Sequence, residues 1–149
     1  MSTNAYADWG AEAYDAFYPG ENLTNYVGHA VWLVGVNLEP LSTTNQATTQ
    51  TIYGEGVLLE GAPVDPGAQC RVVQAGRVRA IAGTGGVSAG DTVAPEYSAT
   101  AANRGRFIQR STSDFSDADF EWGTAITAAA AGGEFLLELR RRRVQLDGN

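Results

Sequence analysis

The sequence predicts an all-β fold, a compact antiparallel β-barrel or sandwich with an extended, aromatic-rich N-terminal arm, and three observations carry that expectation. From residue 52 onward, short runs of β-prone residues are separated by turn signals at close intervals. Within the later runs apolar side chains recur at every second position, the period of a strand with one buried face. No apolar stripe at helical spacing runs ten residues or more in that half. At 149 residues the chain suits one domain, because a chain this long buries roughly 68–70% of the surface its unfolded form exposes. The organisation expected is an arm over 1–26, a β domain over 27–143 and a short tail over 144–149.

Residues 1–26 hold Tyr6, Trp9, Tyr14, Phe17, Tyr18 and Tyr26 among small and acidic residues, with neither strict alternation nor a long helical stripe. Such a segment reads as an arm laid over its own molecule or a neighbour, since aromatic enrichment also marks interfaces. Trp9, Ala13 and Phe17 fall four apart, which also allows one short helix over 8–17 before Pro19-Gly20 ends it. Residues 27–38, VGHAVWLVGVNL, are apolar on both alternating faces, as in a strand covered on both sides. The polar, uncharged stretch 41–51 reads as an exposed loop. Six strands follow, over 52–59, 69–82, 91–98, 104–110, 119–127 and 134–142. Gly76 inside its run marks a bulge or the close approach of another chain, and Pro95 suggests an edge strand. In the last run Phe135, Leu137 and Leu139 alternate with Leu136, Glu138 and Arg140, a strand over a core. Trp122, Thr124 and Ile126 alternate likewise, so AAAAGG, 128–133, becomes the loop joining two antiparallel neighbours. Its glycines supply positive-φ positions, and its alanines let the loop lie close against whatever covers it.

Composition narrows the function. A net charge of −7 argues against binding by neutralisation of phosphates, which needs clustered positive charge. All ten basic residues are arginine, so lysine chemistry, whether Schiff base, phosphate-loop cation or general base, is absent. One cysteine, Cys70, permits no internal disulfide, and with one histidine it leaves little for a zinc site; it reads as a small buried hydrophobe. No apolar run approaches the roughly 20 residues of a membrane span, and MSTNAYADWG lacks a basic region followed by an apolar one, so the expectation is a soluble, unexported chain.

Four motifs invite chemistry. GTGGVSAG, 83–90, has neither the GK[ST] ending nor the G-x-G-x-x-G spacing, and reads as a turn. DFSDADFE, 114–121, gathers four carboxylates without the order of a calcium loop, so a solvated acidic loop is expected. His29 has no nucleophile elbow in its neighbourhood and reads as a histidine satisfied within a strand. RRRR, 140–143, splits by alternation into Arg140 and Arg142 on one face and Arg141 and Arg143 on the other, so it is no single-sided phosphate stripe; it reads as a solvated strand end first, a contact for an acidic protein second and for nucleic acid third.

The order of pieces in VSAGDTVAPEYSATAANRGRFIQRS and WGTAITAAAAGGEFLLELR resembles the small capsid decoration, or cement, proteins of tailed bacteriophages, over about residues 69–140. Ala89-Gly90-Asp91 matches the family's turn before a strand, and Ala125, Ala128–Ala131, Gly132, Gly133 and Glu134 match the alanine-rich stretch before its last strand. The resemblance implies a small β-barrel or sandwich on the outer surface of the assembled head, often a homotrimer, whose partners are the major capsid protein and neighbouring decoration subunits. It implies no catalysis, cofactor, metal, nucleic acid or membrane. The interface residues expected are Tyr6, Trp9, Tyr14, Phe17 and Tyr18 of the arm, with Arg141 and Arg143. Two rivals stand beside it: a glycan- or host-surface-binding module using Trp9, Trp32 or Trp122 as a platform, and a small enzyme built on a buried carboxylate pair.

Overall fold

The computed structural model describes residues 12–41, 54–96, 98, 100–110 and 120–143. Among them are nine strands: β1 (Glu12–Pro19), β2 (Ala30–Val34), β3 (Asn37–Pro40), β4 (Gly54–Glu60), β5 (Cys70–Ile81), β6 (Thr92–Pro95), β7 (Phe107–Gln109), β8 (Phe120–Ala125) and β9 (Glu134–Arg143). The one helical element described is a 3-10 turn at Ala101–Asn103. The all-β expectation holds.

The strands form two rings that share β5. In order β1-β3-β2-β4-β5 they close on themselves, because β1 pairs with β3 on one side and with β5 on the other. From the other half of β5 the sheet continues β9-β8-β6-β7, and a bridge from Phe107 to Ala82 returns it to the end of β5. Residues up to Ala75 of β5 face β4 and β1, and residues from Gly76 on face β9. Gly76 sits at this change of partners with φ 97, a conformation that costs an L side chain roughly 1–2 kcal/mol. The glycine marks the bend that lets one strand serve both rings.

Strand burial follows from that sharing. Val57 and Leu59 of β4 and Val73 of β5 join a core of sixteen buried residues that includes Phe107, Trp122, Phe135, Leu137 and Leu139. Leu58, Val72 and Cys70 point the other way, into a core of six with Leu23, Val31 and Leu38. The wall between the rings is therefore apolar on both faces. In the larger core Phe107 packs against Trp122 and Phe135 with ring centroids 5.9 and 6.3 Å apart. A register slip between Glu121 and Gly123 in the β8–β9 pairing brackets Trp122, and a bulge of this kind re-aims a side chain; Trp122 is fully buried.

Four expectations change. Residues 12–17 are strand, not helix: β1 gains its hydrogen bonds from residues 70–75, a pairing that outweighs the four-residue spacing of Ala13 and Phe17. The single strand expected over 27–38 is two, because Gly35-Val36 forms a two-residue hairpin loop with Gly35 at φ 66 and Val34 opposite Asn37. Its first residues do have both faces covered, Ala30 in the larger core and Val31 in the smaller. β6 is an inner strand, not an edge: β8 pairs only with Thr92 and Val93, so Pro95 lies beyond that ladder and costs it no donor. Leu41 opens the expected 41–51 loop and is fully buried.

Candidate interaction surfaces

The small-residue loops pack on each other. Val87 and Ala129 exchange backbone hydrogen bonds of 2.9 and 3.0 Å, and the Gly132 and Gly133 backbones bracket Ala82 at 2.8 and 2.9 Å. A Cβ on Gly86, at φ 72, would stand 2.6 Å from the Ala129 carbonyl oxygen. GTGGVSAG is thus a turn, and it pairs with the alanine-rich loop through the Val87–Ala129 bridge while Ala128, Ala130 and Ala131 stay exposed. Thr84 pins it by donating from its backbone N–H and its hydroxyl to the buried Glu96 carboxylate, at 3.0 and 2.5 Å. A carboxylate satisfied by two neutral donors in a loop is positioned for structure.

His29 lies just before β2, 3% exposed, and its Nδ1–H donates to the Arg104 carbonyl at 2.6 Å. Tyr26 meets its ring edge-on at 5.2 Å and donates its hydroxyl to the Ala101 carbonyl, while the Ala30 N–H donates to Gly105. Residues 26–30 of the first ring thus clasp residues 101–105 of the second. Burial, helped by the Arg106 charge and opposed by the Arg104 hydrogen bond, lowers the pKa of His29. Cys70 is buried, and desolvation raises its pKa, which leaves a weakly reactive thiol.

The arginine run divides. Arg140 is exposed, whereas Arg141 turns inward over the Trp122 ring, 5.1 Å from its centroid, and donates to the Gly54 carbonyl. Arg143 is placed only as the last residue of β9, opposite Phe120. Of the expected arm residues, Tyr6 and Trp9 lie outside the described residues, and Tyr14 lies in β1 opposite Val72. Phe17 packs half-buried on the smaller core, and Tyr18 is exposed. Trp122 is fully buried and Trp32 packs half-buried on the larger core, so these two do not supply the exposed aromatic platform a glycan module needs. The acidic stretch lies outside the described residues up to Asp119. No cluster of three metal-ligating side chains occurs among the described residues.

Charge is distributed unevenly in a way composition conceals. Residues 1–75 hold eight of the seventeen carboxylates and one of the ten arginines, so they carry the whole net charge of −7. Residues 76–149 balance nine carboxylates against nine arginines. The first ring is the acidic one.

No family model matches the sequence, and no curated protein matches it. Among solved structures, the chain is similar to the N base of the head fiber gp8.5 of bacteriophage phi29, with a TM-score of 0.50 and 15% identity, covering 91% of this chain and 99% of that one. At that identity the likeness is one of fold, and it spans both rings.

Proposed function

We propose that this chain is a structural protein of a tailed-bacteriophage head, a decoration module that binds the outer surface of the assembled shell and stabilises contacts between capsomers. One observation carries the reading: the chain shares its fold, nearly end to end, with a solved head-fiber base. The order of small-residue turns over 69–140 supports it independently, because it resembles decoration proteins in sequence. The physical demands agree. A protein that staples neighbours needs a stiff body and several surfaces, and the two-ring body with hydrogen-bonded loops is stiff by construction. Attachment at several points makes each later contact intramolecular, so modest individual contacts suffice.

Co-sedimentation of the purified chain with matched heads that lack it tests the proposal, with copies per particle counted at saturation. The expected result is saturation at a copy number set by the shell lattice. Failure to bind expanded heads at any concentration overturns it.

A further inference from the structure

Each arginine of β5 is matched by a carboxylate: Arg71 by Glu60 at 3.4 Å, Arg77 by Glu138 at 3.8 Å and Arg79 by Glu134 at 3.5 Å. Arg104 and Arg106, on either side of Gly105 in the turn that leads into β7, have no such match among the described residues. Both side chains are half-buried, and the Nε of each is buried without a hydrogen-bond acceptor. Arg106 Nη1 donates to Asn103 Oδ1 at 3.0 Å, a neutral acceptor that leaves the charge uncompensated. Glu96 lies across the ladder, its N–H donating to the Arg106 carbonyl at 2.6 Å, but its carboxylate is held by Thr84 instead. In a chain with seventeen carboxylates to ten arginines, composition does not explain two neighbouring cations left without an acid.

One side of this pair is open. A Cβ on Gly132 would stand 3.9 Å from Arg106 Nη1, with nothing else within 4 Å. From 128 to 133 that loop carries no side chain beyond a methyl, and Ala130, Ala131 and Gly132 are exposed. Two residues of chain span about 7 Å at most, a separation that lets two arginine side chains close on one small ion. We propose that Arg104 and Arg106, with Asn103 beside them and the Gly132 backbone as a low wall, bind a doubly charged oxyanion, a phosphate or sulfate group. The forked donors of two guanidiniums suit the oxygens of such a group, and their two charges match its own. A single pair of cations holds one group and is not the polyanion surface that the net charge argues against. Its setting favours the ion, because residues 76–149 balance nine arginines against nine carboxylates. The site stands whether or not the chain attaches to a head.

Proton NMR tests it, because His29 is the chain's one histidine and its imidazole signals are unambiguous. Tyr26 meets that ring edge-on, the Arg104 carbonyl accepts from its Nδ1–H, and the Arg106 charge works against its protonation. An ion held on Arg106 offsets that charge. Sodium sulfate should therefore raise the pH midpoint of the His29 titration where sodium chloride at equal ionic strength does not. Arg106→Gln should raise the midpoint by itself, abolish the further rise with sulfate and weaken sulfate binding, measured by calorimetry, at least about tenfold. Arg104→Gln should weaken it severalfold, and Arg79→Gln should keep the wild-type response. Inorganic phosphate compared with glycerol 3-phosphate then separates the sources: tighter binding of the ester assigns the group to a larger molecule, and tighter binding of phosphate assigns the free ion. Sulfate that moves the His29 midpoint no more than chloride does overturns the proposal. So does a sulfate response that persists in both Arg104→Gln and Arg106→Gln.

Discussion

The two rings share one strand, β5, and differ in what they enclose. The larger core of sixteen buried residues lies between the second ring and the outer face of β2 and β4, with Phe107 packed against both Trp122 and Phe135. The first encloses six, one of them Cys70, and its ring is completed through β1 and β3 by two residue pairs, Tyr18–Asn37 and Pro19–Leu38. At about 1.5–3 kcal/mol for each large apolar side chain fully buried, the larger core contributes more to folding than the smaller one. The second ring's clasp on residues 26–30 and the double-faced β4 then support the first. The body is anchored at one end, and the more weakly supported end carries the exposed Tyr18, Val34 and Val36.

The largest break in this arrangement should come from the second ring. Trp122→Ala removes the bulge-aimed side chain and leaves Arg141 without its ring, so a loss of about 3–5 kcal/mol is expected, enough to unfold most of the chain near body temperature. Thermal melting by circular dichroism measures it. A drop in melting temperature of only a degree or two would show that the aromatic cluster is not the anchor.

A smaller and more local effect is expected in the first ring. Leu38→Ala should cost about 2–3 kcal/mol and loosen β1, β2 and β3 while β8 and β9 keep their protection, read by hydrogen exchange. Equal loss of protection in both rings would mean that they open as one unit.

The smallest effect is acid sensitivity at the clasp. Folding holds His29 neutral more strongly than the unfolded chain does, so its contribution is complete above the unfolded pKa of about 6.5. As pH falls through that value the unfolded chain takes up the proton first, and stability declines on the acid side. The Arg106 charge adds to the cost of protonation that burial imposes, and the hydrogen bond to the Arg104 carbonyl opposes both without reversing the direction. In denaturant titrations at pH 7.5 and 5.5, His29→Asn should lessen the fall seen in the wild type. An unchanged pH slope would show that other groups set it.

Much of the second ring was legible in the sequence. The runs at 69–82, 119–127 and 134–142 appear as Cys70–Ile81, Phe120–Ala125 and Glu134–Arg143, because alternation over one core and glycine-marked turns are local signals. The first ring was less legible because its signals conflict with its pairings. β1 owes its strand character to partners more than fifty residues away, and sequence spacing carries no trace of them. The hairpin at Gly35-Val36 did have a signal, a glycine leading a two-residue loop, but valines on both sides make it read as one continuous strand. Arg141 illustrates the limit at the candidate surfaces. Alternation set it opposite Arg140 in direction, but only the fold shows that its direction leads onto Trp122 and the Gly54 carbonyl.

The backbone contact between residues 83–90 and 126–133 has an evolutionary consequence. Ala128, Ala130 and Ala131 are exposed, yet the neighbouring backbones approach so closely that a larger residue at Gly86 would displace the opposing chain. Drift at Gly86 is confined to glycine by packing and by its positive φ. Among relatives such positions would stay fixed on the surface, the pattern ordinarily taken to mark a binding site. Here invariance would record a steric limit.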